Sequence, residues 1–413
     1  MDWIACVGVD WGDREHAYEV RGRDGASYRG RTDSSPEGLH EWVRRLRESF
    51  PTGTIVVGVE HGRWSLLYLL AAYEFLVLVP INPRASKAYR DSLRLSGASS
   101  DPADAALICE FVMKHLSELR AWQPDDTMTR KMRLLVEHRR TLVDQRTALT
   151  HTLADTLKQY FPQALQWFGG EKTPLLRAVL ERWSTLDLLR TASVEELAAV
   201  MSSKRCRKVA ARAKATMEKV HAAVALTTDK AIIEGHAIYA KALAAIIEPL
   251  DLQIAKHDQV IAAEWAAHPQ YELFDSLPGA GKVMAPRLAV AFGLDKTRYE
   301  SADEMQRYSG IAPIIEQSGR HWWTHARWGY PKFLHQTFHE FAQASIPHSA
   351  WAKAVYDEHR ANGCGHHSAI RALAFRWIRI LFRLWQDDEL YDEQQHIDSL
   401  RKNQSPVLAR LAG

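Results

Sequence analysis

Val7-Gly-Val-Asp10 and Val57-Gly-Val-Glu60 close two short apolar runs, which begin at Trp3 and Thr54. Short apolar runs rich in β-branched residues are typical of buried strands. Each run ends in an acid, and two further acids follow in Ser-Ser-Asp101-Pro-Ala-Asp104-Ala. The sequence therefore predicts two strands with acidic ends, and a later helix that begins with a pair of acids.

The segments around these strands predict an α/β domain over residues 1–125. Asp24-Gly25 is a hairpin turn signal between strands near 17–21 and 27–29. Ser35-Pro36 opens a helix with a buried stripe of Leu39, Trp42, Val43 and Leu46. A helix over 64–73, a strand over 75–81 and a helix over 103–116 complete the order. This layout is typical of a ribonuclease-H-like domain rather than a purely parallel sheet.

Residues 126–270 predict a nearly all-helical, coiled-coil region. Leu135, Leu142 and Leu149 repeat at seven, and a second stripe runs from Tyr239 through Leu243, Ile246 and Ile254 to Ile261. We expect Pro249 to kink this second helix. The two long helices flank a basic helical insert at about 165–230. They would serve as dimerisation arms or spacers, or would pair within the chain as a helical hairpin.

Residues 271–413 predict a mostly helical C-terminal domain. Leu277-Pro-Gly-Ala-Gly281 followed by Lys282 resembles the turn of a helix-hairpin-helix element, whose glycines let backbone N–H groups approach a DNA phosphate. The alternative is an ordinary turn before a helix. The acid-rich stretch 386–398 is expected to be a solvated tail.

The four acids suggest a metal site. In a ribonuclease-H-like sheet the first and fourth strands are neighbours, so Asp10 and Glu60 would meet at one edge. The i, i+3 spacing of Asp101 and Asp104 places both on one helix face. Such oxygen ligands suit Mg²⁺, and a two-ion site, with Mn²⁺ able to substitute, would support phosphoryl transfer. The alternative is that these acids only cap helices and strands.

A second candidate site lies in Tyr308-Ser-Gly-Ile-Ala-Pro313 and the following Gln317-Ser318-Gly319-Arg320. Ser318 stands in a polar turn, where its hydroxyl would be exposed enough to attack a phosphodiester. Arg320, His321 and His325 would neutralise phosphate charge. The alternative is a plain Ser-Gly turn. The nearby aromatic residues are expected to be core rather than a base-stacking surface. They are Trp322, Trp323, Trp328, Tyr330 and Phe333.

Two basic clusters are candidate nucleic-acid surfaces. Seven basic residues and one acid lie between Lys204 and Lys219, and six further basic residues lie between Arg130 and Arg146. Such clusters can follow phosphates by releasing counterions, although a solvated helix face is the alternative. The candidate contacts are Arg139, Arg140, Arg146, Lys204, Arg205, Arg207, Lys208, Gly279, Gly281, Lys282, Arg320 and Arg327.

Composition narrows the class of protein. The 413 residues include 46% hydrophobic and 25% charged residues, as in ordinary globular proteins, and the formal net charge is only +3. The four cysteines form no CxxC pair, which argues against a zinc knuckle or a disulfide framework. No apolar run approaches the length of a membrane span and no signal-peptide pattern is present. We therefore expect a cytoplasmic location with no membrane partner.

The sequence resembles the DEDD transposases of the insertion-sequence one-ten family, which are also described as bridge-RNA-guided recombinases. The resemblance rests on five blocks in order: Val7–Asp10, Val57–Glu60, Asp101–Ala105, Arg139–Leu149 and the pair Leu277–Gly281 with Tyr308–Gly319. It implies a RuvC-like catalytic domain, a coiled-coil segment and a C-terminal transposase domain that carries the serine.

The resemblance implies that Asp10, Glu60, Asp101 and Asp104 hold Mg²⁺ and that Ser318 forms a transient phosphoserine link to a cut strand. It also implies donor and target DNA, a structured non-coding bridge RNA as guide, and a dimer of dimers in which the serine of one subunit meets the carboxylates of another. A bacterial, nucleoid-associated protein is expected.

Two features depart from the family pattern. Many relatives carry a basic run after the Ser-Gly pair, where this chain has Arg320-His-Trp-Trp-Thr-His-Ala-Arg327. The basic insert near 165–230 is also long. The competing interpretations are a hydrolytic RuvC-like nuclease or Holliday-junction resolvase, in which water replaces Ser318, and a non-catalytic nucleic-acid-binding protein.

Overall fold

The structure, a computed structural model, describes residues 3–60, 64–93, 100–327 and 329–404, and only the backbone of Trp64. The chain divides into two compact units, Met1–Asp125 and Asp126–Gly413. In the described part of the chain, no helix combines the length and the apolarity that crossing a lipid bilayer requires.

The N-terminal unit contains five strands and four helices among its described residues. They are β1 (Ala5–Asp10), β2 (Glu15–Gly22), β3 (Ser27–Asp33), α1 (Pro36–Ser49), β4 (Ile55–Glu60), α2 (Trp64–Leu70), β5 (Leu76–Ile81), α3 (Pro83–Leu93) and α4 (Asp101–His115).

The strands form one mixed sheet in the order β3-β2-β1-β4-β5. The pairs β3-β2 and β2-β1 are antiparallel, while β1-β4 and β4-β5 are parallel. The predicted mixed α/β organisation is confirmed, and the first and fourth strands are neighbours as expected. Helix α1 begins at the predicted Ser35 cap, whose side chain accepts a hydrogen bond from the Gly38 N–H, and buries the predicted stripe.

The sheet has a core on each face because strand side chains alternate. Ala5, Val7 and Val9 of β1 face the helix α1 and α2 side, where they join Leu39 and Leu66 in one cluster. Cys6 faces the other side, where it packs with Cys109 and Val112 of α4. The two buried thiols remain free cysteines.

The C-terminal unit is helical apart from one hairpin among its described residues. Its elements are α5 (Thr127–Tyr160), α6 (Gln163–Trp167), α7 (Pro174–Arg182), α8 (Leu186–Arg190), α9 (Val194–Ser203), α10 (Val209–Ala222), α11 (Lys230–Ala266), α12 (Tyr271–Asp275), α13 (Gly281–Phe292), α14 (Ala302–Tyr308), β6 (Ile314–Ser318), β7 (His321–His325), α15 (Lys332–Ser345), α16 (Ala350–Ala361), α17 (His366–Asp387) and α18 (Glu393–Lys402).

Helices α5 and α11 pack against each other as an antiparallel pair within the chain. Ion pairs run in opposite directions along the two helices: Lys131 with Glu264, Arg139 with Asp258, and Arg146 with Asp251. This arrangement is the helical hairpin that the sequence left as the alternative to dimerisation arms. Helices α6 to α10 lie between α5 and α11 in the chain. They form a separate hydrophobic core with the C-terminal part of α5 and the N-terminal part of α11.

The buried stripe of α11 differs from the predicted one. Tyr239 and Ile246 are about half exposed, whereas Ala240, Leu243 and Ile247 are buried. The prediction selected the large apolar residues, whereas the small Ala240 is buried in the core that α11 shares with α5. Pro249 lies inside α11, which is assigned as one helix from Lys230 to Ala266.

The predicted solvated tail at 386–398 is only partly right, because Asp387, Asp388, Glu389 and Asp392 are exposed but other residues of the segment pack on the C-terminal core. Glu393 accepts hydrogen bonds from the Ser349 hydroxyl and the Trp351 backbone N–H, both at 3.0 Å. The His396 ring lies edge-on to Trp351, and Tyr391 packs against the buried Trp377. The segment therefore docks on the C-terminal core through its aromatic side chains, which a prediction based on its acidic composition does not take into account.

Candidate active site

Two paired glycines determine where helix α4 lies on the sheet. Gly8 of β1 and Gly58 of β4 are directly opposite each other in the parallel register. A Cβ atom at Gly8 would lie 2.2 Å from the Ala105 carbonyl oxygen, and one at Gly58 would lie 2.6 Å from a methyl group of Val112. Because neither glycine has a side chain, α4 can pack directly over both strands.

This packing brings the helix start to the acidic ends of the strands. Asp10 ends β1 and Glu60 ends β4, one residue beyond the last paired positions, Val9 and Val59. Asp101 and Asp104 occupy the first turn of α4, where negative charge is favoured. The sequence therefore predicted correctly that these four acids belong to one edge of the N-terminal unit.

The electrostatics of Asp10 reflect this crowding. Burial, as the largest cause, and the negative charges of Asp104, Asp101 and Glu60, in that order, together raise the pKa of the Asp10 carboxyl to about 6, while Arg90 opposes the shift. A carboxyl with several like-charged neighbours holds its proton longer because ionisation adds to the repulsion. Asp10 therefore lies in the field of all three other acids.

Two arginines that were not predicted as site residues also reach these acids. The Arg90 guanidinium lies 3.1 Å from Asp104, and that of Arg31 lies 3.9 Å from Asp101. Arg90 belongs to α3, a helix that was not predicted. The signal was Asn82-Pro83, since the Asn82 side chain accepts the Arg84 N–H at the start of α3 and proline suits a first helical position.

The donor set fits a hard divalent cation in its chemistry, although the carboxylates are not gathered into a finished cage. Within the ranges that the structure describes, no three His, Cys, Asp or Glu side chains converge closely enough to hold a metal ion. Arg90 supplies positive charge beside Asp104. Asp10 and Asp104, both partly buried, are the carboxylates whose mutual repulsion a cation would relieve most.

Ser318 lies at the end of a solvent-exposed hairpin in the C-terminal unit. It is the last residue of β6 and pairs with His321, the first residue of β7. Gly319 has φ of +60°, which a two-residue hairpin turn requires at its first position. All of β7 and the last four residues of β6 are exposed, including Ser318. Its hydroxyl is therefore accessible to a large substrate.

The expectation that the aromatic residues near Ser318 form core is wrong for the hairpin. Trp322 and Trp323 are 64% and 47% exposed, and the Trp323 ring stacks on His321. Phe333 does pack against the C-terminal core, and Tyr330 stacks on His335. Trp328 lies outside the described residues. Exposed indole rings beside Ser318 agree with the stacking surface that the sequence left as the alternative.

The candidate arginines of α5 already have carboxylate partners. Arg139 binds Asp258, Arg140 binds Glu340 and Asp144, and Arg146 binds Asp251. These interactions explain much of the positive charge between 130 and 146 as pairing within the C-terminal unit.

The other candidate contacts are more exposed. Arg205, Arg207 and Lys208 lie on the surface between α9 and α10, while Lys204 is 3.7 Å from Glu248. Arg320 is exposed at the hairpin turn and Arg327 is half-buried after β7. Gly279 and Gly281 have φ of +76° and +52° between α12 and α13, and Lys282 is exposed in the first turn of α13. A Cβ at Gly279 would meet the Ala344 carbonyl oxygen at 2.4 Å, so packing alone requires that glycine.

Comparison with known proteins identifies both parts of the chain. A sequence model of the DEDD transposases of IS110 elements matches residues 7–162, which include all four acids. A second model, described as the transposase IS116/IS110/IS902 family, matches residues 271–357, which include Ser318. Together the two matched ranges span more than half of the chain.

Several proteins of insertion sequences align over most of the chain. The IS117 mini-circle protein of Streptomyces coelicolor is 25% identical over 399 residues, covering 94% of this chain and 95% of that protein. An uncharacterized 42 kDa protein of IS900 from Mycobacterium paratuberculosis is 26% identical over 330 residues, covering 78% and 79% of the two chains. A 43.6 kDa protein of IS110 from S. coelicolor is 26% identical over 302 residues, covering 72% and 73%. The chain belongs to the IS110 family of insertion-sequence transposases, enzymes that cut and rejoin DNA.

Proposed function

We propose that the protein cuts and rejoins DNA strands through a covalent intermediate on Ser318, with Asp10, Glu60, Asp101 and Asp104 as a carboxylate site that binds Mg²⁺. The observation that carries the proposal is the crowding of Asp10 by the other three acids at the ends of β1 and β4. Helix caps and strand ends do not explain why four acids lie near one another, whereas a bound divalent cation would offset the repulsion among them.

Asp10, Glu60, Asp101 and Asp104 would hold the cation. When bound, Mg²⁺ supplies positive charge that stabilises the oxygens of a phosphodiester during transfer. Asp10 and Asp104 are partly buried, so the surrounding structure would restrict their side chains. Asp101 is exposed, so that side of the site would be accessible to a duplex. Arg90 would maintain charge balance around Asp104 before the cation binds.

Ser318 would act as the nucleophile. Its oxygen attacks the phosphorus of a DNA strand, its proton passes to a base, and the strand leaves as a free hydroxyl, so that a phosphoserine ester replaces one phosphodiester. The hydroxyl of a second strand then attacks the same phosphorus and releases Ser318, which needs no external energy source. Arg320 and His321 follow Ser318 in the hairpin and would neutralise the phosphate charge.

We further propose that the N-terminal unit is a ribonuclease-H-like, RuvC-type domain and that a bridge RNA supplies sequence choice by base pairing. The mixed sheet with the acids at the β1–β4 edge supports the first proposal. Because Ser318 and the acids belong to different units, the two halves of the site would be able to come from different subunits of a dimer of dimers. Arg205, Arg207 and Lys208 are the exposed cations best suited to RNA.

A strand-transfer assay tests the proposal. The protein, co-expressed with the non-coding RNA that flanks its gene, is mixed with Mg²⁺ and labelled donor and target duplexes. Denaturing gels then compare wild type with Ser318→Ala, Asp10→Asn and the control Ser368→Ala, which changes an exposed serine of α17. We expect a protein–DNA adduct and a joined product that fall by at least about a thousandfold in Ser318→Ala and are unchanged in the control.

The other outcomes identify the rival functions. Cleavage that survives in Ser318→Ala without an adduct would mean that water is the nucleophile and that the protein is a hydrolytic nuclease. If Asp10→Asn keeps full strand transfer, the carboxylates are structural. If wild type binds DNA under all conditions but never cuts it, the protein is a nucleic-acid-binding protein only.

A further inference from the structure

The outermost strand of the sheet, β3, carries a row of exposed side chains beside the carboxylates. Strand β3 is the edge of the sheet, and α4 packs over its neighbours β1 and β2. Every second residue of β3 from Ser27 to Asp33 is exposed, whereas the residues between them are buried or half-buried. Paired residues of adjacent strands share a face, so this exposed row lies on the face that carries Gly8 and Asp10 of β1.

Two arginines of this row are in register with the residues of the carboxylate site. Arg31 pairs with Ala17 of β2, which pairs in turn with Asp10 of β1. Arg29 lies two residues earlier on β3, which is about 6.8 Å along an antiparallel strand. The Arg31 and Arg29 side chains are 53% and 61% exposed. A ligand that lies along β3 can therefore contact both guanidinium groups.

Arg31 is directed at the site by two acids, but neither of them occupies it fully. Its Nη1 donates to Glu15 at 3.1 Å. Its Nη2 lies 3.9 Å from Oδ2 of Asp101, which is too far for a hydrogen bond. The side chains of Glu15 and Asp101 are themselves more than half exposed, and such ion pairs contribute little to stability. Arg31 can therefore exchange these partners for another anion at little cost.

Arg29 is oriented by a buried carboxylate. Glu19 of β2 is 1% exposed and accepts hydrogen bonds from the Nε of Arg21 at 2.7 Å and from the Nε of Arg29 at 2.5 Å. Because one acid serves two arginines, the three side chains keep a net positive charge. The bond through Nε leaves both Nη groups of Arg29 without a hydrogen-bond acceptor among the residues that the structure describes.

We propose that Arg29 and Arg31 bind backbone phosphates of the DNA strand that lies over the carboxylates, and that they position the phosphodiester that is cut. The inference rests on the proposed function in taking DNA as the substrate of the carboxylate site. It does not depend on whether Ser318 or water is the nucleophile. A guanidinium presents pairs of N–H donors that match the oxygens of a phosphate. Arg31 is level with Asp10 and would contact a phosphate close to the cut, whereas Arg29 would contact one farther from it.

The alternative role for these arginines is to protect the edge of the sheet. Charged side chains on an edge strand prevent it from pairing with another sheet. That role requires charge at exposed positions, but it does not require Arg31 to lie beside Asp101 or a buried Glu19 to orient Arg29. The two roles predict different responses to the removal of individual DNA phosphates.

The test combines protein variants with single-phosphate substitutions in the DNA. The full-length protein, co-expressed with its flanking non-coding RNA, cuts labelled donor duplexes in which one phosphate beside the mapped cut is replaced by an uncharged methylphosphonate. The variants are Arg31→Gln and Arg29→Gln, and Glu19 keeps Arg21 as a partner in the second. The control Arg45→Gln removes an exposed arginine that pairs with Glu41 of α1, on the opposite face of the sheet.

We expect Arg31→Gln to slow cutting of unmodified DNA about tenfold, and one methylphosphonate close to the cut to slow the wild type by a similar factor. Together the two changes should not multiply, because both remove the same contact. Arg29→Gln should be non-additive with a phosphate farther from the cut. The control Arg45→Gln should leave the rate and the effect of every methylphosphonate unchanged, and all three variants should keep the wild-type thermal unfolding temperature.

Binding without magnesium gives a second measurement that does not depend on cutting. Arg31→Gln should bind the unmodified donor duplex about three- to tenfold more weakly than wild type at low salt. It should also reduce the slope of log affinity against log salt by about 0.9, which corresponds to one lost phosphate contact. If the wild type does not cut DNA, the same combination of variants and methylphosphonates is read from these affinities.

The inference is overturned if the effects of Arg31→Gln and Arg29→Gln multiply with those of every methylphosphonate, because the arginines then serve only the edge of the sheet. Failure of the proposed function is a different result. Cutting that survives in Ser318→Ala would change the nucleophile to water, yet the non-additivity between Arg31 and its phosphate would remain, since it is measured from the rate of cutting rather than from the adduct.

Discussion

Single residues without side chains determine the position of the carboxylate site. Gly8 and Gly58 lie opposite each other under α4, and the acids follow two residues later on each strand. The alternation of a strand puts Gly8 and Asp10 on the same face of the sheet. The face that α4 covers is therefore also the face that carries Asp10, which explains why Asp104 is its strongest charged neighbour.

Gly8→Ala should destabilise the N-terminal unit by roughly 1–3 kcal/mol, because its Cβ would overlap the backbone of Ala105 and Cys109, which cannot move independently of the helix. It should also reduce strand transfer, since α4 carries two of the acids. Urea unfolding of the full chain measures the stability. The control is Gly235→Ala, in an exposed and open position of α11, which should stabilise by about 0.5–1 kcal/mol. Wild-type stability for Gly8→Ala would mean that α4 does not lie directly on β1.

At the scale of elements, the long helices α5 and α11 are connected by ion pairs that differ in how deeply their side chains are buried. Asp251 of α11 binds Arg146 of α5 and Arg177 of α7, whose side chain is only 8% exposed. Glu264 binds Lys131, and both of these side chains are well exposed to solvent. Charge pairs near the surface contribute little to stability, whereas an unpaired buried guanidinium is expensive.

Asp251→Ala should therefore lower the free energy of unfolding by about 2–3 kcal/mol, because it leaves Arg177 buried without its carboxylate. Glu264→Ala, the matched control on the same helix, should cost less than about 1 kcal/mol. Denaturant titrations of both variants measure the difference. Similar losses in the two variants would show that the Arg177–Asp251 pair is as solvated as the Lys131–Glu264 pair. The double variant Asp251→Ala with Arg177→Met should recover part of the loss.

The whole molecule should respond to pH through buried and half-buried histidines of the C-terminal unit. Burial lowers the pKa below its usual value of 6.5 at five positions, and nearby arginines contribute at some of them. The five are His268, His335, His339, His359 and His396. The unfolded chain then takes up protons at a higher pH than the folded chain, so these groups lower stability as the pH falls through 6.5. The raised pKa values of Asp10 and Glu137 act in the opposite direction.

Replacing one half-buried histidine isolates its contribution. His396→Gln should lose less stability than wild type between about pH 7.5 and pH 5.5, because one group that resists protonation in the folded state is gone. Thermal unfolding at the two pH values measures the change. The control is His221→Gln, at an exposed position of α10, which should keep the wild-type difference. An unchanged pH response in His396→Gln would indicate that α18 undocks before unfolding.

The sequence by itself determined the mixed sheet, the cap and stripe of α1, and the positions of the four acids at the ends of β1 and β4 and in the first turn of α4. These follow from local patterns: apolar runs of strand length, a Ser-Pro helix start and acids at fixed offsets from both. The role of Ser318 was suggested by resemblance and by its polar turn, because a hairpin so exposed has no hydrophobic pattern that would single out one residue.

Only the tertiary structure decided the rest. Three findings depend on which surfaces pack against each other, and this cannot be read from composition. They are the exposure of Trp322 and Trp323, the docking of 386–398, and the burial of Ala240 rather than Tyr239 in the α11 stripe. The same is true of Arg90 beside Asp104 and of Arg140 and Arg287, which both bind Glu340, since charged partners from different helices meet only when those helices pack. Local propensity specifies elements, whereas packing specifies their neighbours.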